Sequence, residues 1–231
     1  MHGAANVHSI DLNRRLDLEI FGKSLQIIRD YESDTLRKEY FEKADAASFE
    51  SRIRLLAKHA EDPEGFISSA KINYLAPADA ADAPLSDGSV DIHFSNTVFE
   101  HIPPDILFNI LEEAKRILKP DGLHLHNIDL SDHFAHTDPR IQKINFLKFS
   151  MLVWNLLAGN RFAYCNRLRA SEFRELFARA GLEILAEVVV VDLDAQSALK
   201  QNFLVNRAFK SFSNEDLCTT SITLLARVKN E

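Results

Sequence analysis

The run from Lys71 to Asp129 constrains the fold more than any other part of the chain. Ile72–Leu75 and Val90–Ser95 are short β-type runs joined by an acidic loop. Pro103 and Pro104 then open a helix, since proline is tolerated in a first turn. Its apolar residues, Ile106, Leu107, Ile110, Leu111, Ala114, Ile117 and Leu118, fall on one face. Lys115, Arg116 and Lys119 sit in its last turn, favourable against the helix dipole. Pro120-Asp121-Gly122 ends it, and Leu123–Ile128 is the next strand. Strands alternating with helices in this order form a doubly wound, mostly parallel sheet.

The flanks extend the same pattern. Asn6–Ile10 is a short strand ending at Asp11, and apolar spacing predicts a helix from Leu12 to Tyr31. Residues 34–59 are polar with a thin apolar stripe and predict one or two surface helices. Residues 131–170 form an inserted helical segment rich in aromatics and amides, expected to cover the active site as a lid. Ser171 is a good N-cap for a helix from Glu172 to Ala180, which Gly181 terminates. Leu182–Val191 and Thr219–Val228 are strands, and residues 192–216 are helix or loop. This late β pair predicts an antiparallel edge. A chain of 231 residues buries a full core, so residues 1–231 are expected to be one domain.

Composition narrows the function classes. The net charge of −7 argues against a nucleic-acid scaffold, which needs a concentrated basic surface. Two cysteines, Cys165 and Cys218, make no disulfide framework, so a reducing, cytoplasmic setting is expected. No apolar run approaches the ~20 residues that span a bilayer, and MHGAANVHSIDLNRR has no apolar signal core. Neither membrane insertion nor nucleic-acid binding is expected.

Several pieces in fixed order resemble the class I S-adenosylmethionine-dependent methyltransferases. They are Asp79-Ala80, Ala83-Pro84-Leu85-Ser86-Asp87-Gly88-Ser89-Val90-Asp91, Val98-Phe99-Glu100-His101-Ile102 and Arg116-Ile117-Leu118-Lys119-Pro120-Asp121-Gly122. Val7-His8-Ser9-Ile10-Asp11 resembles the family's second strand. Residues 127–133 and 164–169 resemble a bacterial subgroup associated with sugar or cell-surface glycan modification. The resemblance implies a Rossmann-like fold with S-adenosylmethionine as cofactor. The family's first strand and glycine-rich turn would precede Asp11, where only Met1–Ala5 stand before the strand. The chain therefore reads as a methyltransferase without its first strand–helix unit, with Gly3 as the tail of that unit's closing turn.

The site expectations follow. Asp11, with Leu12 after it, stands where an acid at a strand end accepts from both ribose hydroxyls; a helix N-cap is the plainer role. The resemblance puts Asp79 and Ala80 beside the adenine and the Ser95-Asn96 turn near the methionine end; His101, which follows, suits the floor of the cofactor pocket or a role on the substrate, with a hydrogen-bonded structural histidine as the plainer role. His133 follows a strand's C-terminal end, and a histidine oriented by an aspartate fits a general base. Asp132, Tyr164, Asn166 and Arg167 are expected to bind the acceptor, although Arg167 and Arg169 equally suit ties to acidic residues of the core. His124 and His126 share a strand face, with His133 and His136 beyond; the spacing suits zinc with Asp129 or Asp132. Strand histidines between helices are commonly packed and hydrogen-bonded, so no metal is expected.

The expected activity is methyl transfer from S-adenosylmethionine to a small-molecule or glycan hydroxyl. The alternative is a non-catalytic, truncated methyltransferase-like protein acting in protein association, where a sheet edge left open would favour a homodimer.

Overall fold

The computed structural model describes residues 4–31, 35, 38, 45–159 and 164–229. The chain divides into two compact units, Met1–Ala83 and Pro84–Glu231, where the sequence suggests one domain. Gly3, Phe162 and most of residues 32–44 lie outside the described residues.

In the first unit β1 (Val7–Ile10) and β2 (Ile72–Leu75) pair in parallel, with Val7 opposite Ile72 and Ile10 opposite Leu75. α1 spans Leu18–Asp30, six residues later than the apolar spacing places its start. Two local contacts explain the delay. The Tyr74 hydroxyl accepts from the Arg15 and Leu16 backbone N–H groups at 2.9 and 3.2 Å. The Asp17 carboxylate then caps the helix, accepting from Glu19 and Ile20. α2 (Ala46–Lys58) and α3 (Pro63–Ser69) follow, capped by Asp45 and Asp62. Phe21 of α1 meets Phe66 of α3 with ring centroids 6.1 Å apart.

The second unit holds a four-stranded sheet in the order β3 (Val90–Asn96), β4 (Leu118–Asp129), β6 (Thr219–Val228), β5 (Leu182–Val191). β3 and β4 are parallel. β6 runs antiparallel to both β4 and β5, so the antiparallel strand is inserted beside the edge strand β5. β4 begins at Leu118 and carries Pro120-Asp121-Gly122 within it as an irregularity. Its register against β3 shifts between Val90 and Ile92.

α4 (Pro104–Ile117) and α6 (Ala170–Arg179) pack on the sheet. Leu107, Ile110, Leu111, Ala114 and Ile117 form the buried stripe of α4, at i, i+3, i+4 and i+7 spacing. They join Phe173, Leu176 and Phe177 of α6 and Ile128, Ile222 and Leu224 of the strands among the buried residues. Each such side chain contributes roughly 1.5–3 kcal/mol of burial. The cap of α6 differs from expectation. The Glu172 carboxylate accepts from the Arg169 N–H at 2.9 Å, while the Ser171 hydroxyl and N–H both donate to the Asp216 carboxylate. Gly181 closes the helix at φ +73°, a conformation that costs a residue with a Cβ.

The described residues of the 131–170 segment contribute to a second core. They contain single 3-10 turns at His133–His136 and Asn145–Lys148, and α5 (Met151–Ala158). Ile144, Phe146, Leu147 and Trp154 pack with Ala195 of α7 (Leu193–Lys200), with Phe209, and with Leu217 and Cys218 of α8 (Asn214–Cys218). Among the described residues no helix is long and apolar enough to cross a membrane.

Candidate active site

In the first unit, Asp11 ends β1 beside a cleft of about 310 Å³, which is also lined by Ser9, Arg15, Leu16, Phe21 and Tyr74. Its Oδ1 accepts from the Asn13 N–H at 3.1 Å and its Oδ2 from the Tyr74 hydroxyl at 3.0 Å. A carboxylate has about four lone-pair directions, so these two bonds leave acceptor capacity. Asp11 therefore does not cap α1; Asp17 does. The Ala78 N–H donates to the Asp11 carbonyl at 2.9 Å, which joins the end of β1 to the loop carrying Asp79. The Asp79 carboxylate accepts from the Ala81 N–H, forming a tight turn around half-buried Ala80. Leu12 is 65% exposed.

In the second unit, the ends of β3 and β4 carry an acid–base cluster. Thr97, at φ +50°, turns the chain out of β3 after exposed Asn96, and its N–H donates to the Asn127 carbonyl at 2.9 Å. The 3-10 turn Phe99–His101 follows. His101 Nδ1–H donates to the Tyr164 carbonyl at 2.8 Å. Asp129 ends β4, and its Oδ2 lies 3.6 Å from His133 Nε2 and 3.3 Å from His136 Nε2. The His133 ring stands edge-on to His101 at 4.9 Å and stacks on His136 at 5.0 Å. Burial is the main cause that pushes His133 below the ordinary imidazole value of 6.5; Asp129 opposes it, and His101 and His136 add to it. The ring is therefore neutral at neutral pH.

Glu100 stands beside this cluster and was not anticipated. It is 1% exposed, and neither of its carboxylate oxygens has a hydrogen-bond partner. Burial pushes its carboxyl above the usual range. Nothing local in Val98-Phe99-Glu100-His101-Ile102 signals this; an acid between apolar neighbours reads equally as a solvated turn.

The expected acceptor contacts divide. Tyr164 is half-buried, and burial raises its phenol. Asp132 is buried: it caps the His133–His136 turn through the Phe134 N–H at 2.9 Å and accepts from Asn145 at 3.4 Å. Asn166 spends its amide on backbone, donating to the Phe99 and Ile102 carbonyls at 2.8 and 2.9 Å and accepting from the Leu168 N–H at 3.0 Å. Arg167 is 4% exposed, lies between the Trp154 and Phe209 rings, and donates to the Phe146 and Phe149 carbonyls. These contacts anchor the three side chains to the backbone and to Asn145. Arg169, fully buried, likewise ties β4 and β6 together through the Leu130, Asp216 and Thr219 carbonyls rather than through acidic side chains.

Residues 42–126 match the family model of a methyltransferase domain. They take in β2, β3, α4 and most of β4, the run whose order first suggested the fold. This stretch of the chain is similar to the S-adenosylmethionine-dependent methyltransferases. The Asp11 carboxylate keeps acceptor capacity beside a cleft, the chemistry that a pair of ribose hydroxyls takes. Solved structures are more distant. A methyltransferase of Haloferax volcanii, in complex with the Trm112 activator, is 20% identical over 72% of this chain and 68% of its own, with a TM-score of 0.42. A Methanosarcina mazei methyltransferase is 14% identical over 70% and 69%, at 0.45. The geranyl diphosphate C-methyltransferase of Streptomyces coelicolor is 16% identical over 80% and 60%, at 0.43. No curated protein matches. At this distance no residue's role carries over from one chain to the other.

Proposed function

We propose that this methyltransferase domain methylates a hydroxyl oxygen of a small molecule or glycan, with His133 as general base. The observation that carries the reading is the His133–Asp129 pair beside His101 and His136 at the end of β4. The cofactor supplies a methyl group made electrophilic by its sulfonium. An oxygen acceptor must be aligned with that methyl and must lose a proton as the new C–O bond forms. His133 takes that proton, and the Asp129 carboxylate, 3.6 Å from its Nε2, steadies the imidazolium. The leaving electron pair of the C–S bond stays on sulfur, so the step needs no redox partner.

In the first unit, Asp11 takes the ribose hydroxyls and Asp79 and Ala80 face the adenine; in the second, Asn96 and His101 are cofactor-binding residues in their own right. Tyr164 borders the acceptor. The test is methyl transfer from labelled cofactor to a panel of sugars, polyols and glycans. Label in an acid- and base-stable ether on an acceptor hydroxyl, lost in His133→Ala, supports the reading. Transfer only to nitrogen, carbon or carboxylate acceptors overturns it.

A further inference from the structure

Away from the acid–base cluster, three imidazoles converge on the helix-covered face of β3 and β4. His93 is half-buried, and His124 and His126 are 0% exposed. The parallel register sets His93 opposite His124 and Ser95 opposite His126, so the three rings share one side of two hydrogen-bonded strands. Ring centroids lie 5.5 Å (His93–His124), 5.0 Å (His93–His126) and 5.9 Å (His124–His126) apart. Four of their nitrogens are buried without a hydrogen-bond partner: His93 Nδ1, both nitrogens of His124, and His126 Nε2. Buried polar atoms in native folds are nearly always satisfied, so four orphans in one place require an explanation.

We infer that His93, His124 and His126 form a three-histidine site for a divalent transition-metal ion of the zinc class. Each ring brings one donor nitrogen within 4.8 Å of the other two. Metal–nitrogen bonds of about 2.1 Å in a tetrahedral site set donors about 3.4 Å apart. Reaching that spacing calls on the broad χ2 torsions of His93 and His124. His126 is already held in place. Its Nδ1 shares a hydrogen bond of 2.8 Å with the Ser95 hydroxyl, and its ring stacks on Phe99 at 4.2 Å, which leaves Nε2 turned to the other rings. A partner on the distal nitrogen is the usual support of a metal-binding histidine. Burial keeps the rings neutral, the form that ligates. Three neutral nitrogens and no carboxylate select zinc-like ions over magnesium or calcium. The sequence pattern suggested a different set, with Asp129 or Asp132; the fold puts those with the acid–base cluster and brings in His93 instead.

The site does not depend on the methyl-transfer reading, and its test does not use activity. The full chain, stripped of metal, is titrated with Co²⁺ and followed by visible absorption, with circular dichroism to verify folding. A ligand-field spectrum saturating near one equivalent, bleached by Zn²⁺, is expected. His124→Phe and His126→Phe abolish it and His133→Ala retains it. A folded wild-type chain that gives no spectrum overturns the site and points to buried water as the partner of these nitrogens. So does a spectrum that survives His124→Phe but disappears in His133→Ala. The wild-type titration decides even if the core variants fail to fold.

Discussion

His133 and Asp129 face each other across 3.6 Å, Nε2 to Oδ2, on the first turn beyond β4. Their spacing is four residues, and Asp132 caps the turn that opens at His133. Asp129 raises the affinity of His133 for a proton, while burial lowers it more.

The pH profile of transfer therefore has a defined sign. His133 acts when neutral, so activity falls as the pH drops through its lowered value. The acid limb of kcat is expected below 6.5, flat through neutrality. Asp129→Asn removes the opposing charge and shifts that limb lower still. His133→Ala costs roughly 10²–10⁴ in kcat with cofactor affinity unchanged, measured by initial rates and by calorimetry.

Asp11→Ala is expected to weaken S-adenosylhomocysteine binding by about 10- to 100-fold, the loss of a charge-assisted hydrogen bond of roughly 1.5–3 kcal/mol. Calorimetric titration measures it. Tyr74→Phe removes the hydroxyl that donates to Asp11 and accepts from Arg15 and Leu16, so a smaller loss with a destabilised start to α1 is expected.

Asn166→Ala leaves the Phe99 and Ile102 carbonyls without their donor. The expected cost is about 1–3 kcal/mol, a fall of several degrees in Tm by calorimetry. Were Asn166 an acceptor-binding side chain, KM would change with Tm intact.

Arg169→Lys is expected to destabilise nearly as much as Arg169→Met. A planar guanidinium reaches the Leu130, Asp216 and Thr219 carbonyls together, and a single ammonium does not. Losing one partner of a buried network costs roughly 3 kcal/mol or more, read from urea midpoints at unchanged m.

Glu100→Gln probes the unpartnered carboxyl. Its value is raised in the fold, so it favours folding at low pH and opposes it once pH rises through the raised value. The variant is expected to match wild type near pH 5 and to exceed it by a few degrees in Tm near pH 8.

Much of this was readable from local pattern. The limits of β1, β2, β3, β5 and β6 and the buried face of α4 follow from spacings within a few residues. The start of α1 was not readable, because its cause is a tyrosine hydroxyl some sixty positions away. Nor was the role of Asn166, since an amide in a polar cluster looks the same whether it faces solvent or a carbonyl from the turn after β3.

The sequence alone determined the order of strands and helices and the acids that end β1 and β4. Those are properties of neighbouring residues, set by hydrophobic period and by caps. Only the tertiary structure decided which polar groups meet. It buried Glu100, Asp132, Arg167 and Arg169, set His133 against Asp129, and put His93 beside His124 and His126. Those meetings depend on strand register and on the packing of distant segments, where a side chain's partner is fixed by the fold's geometry and not by its place in the chain.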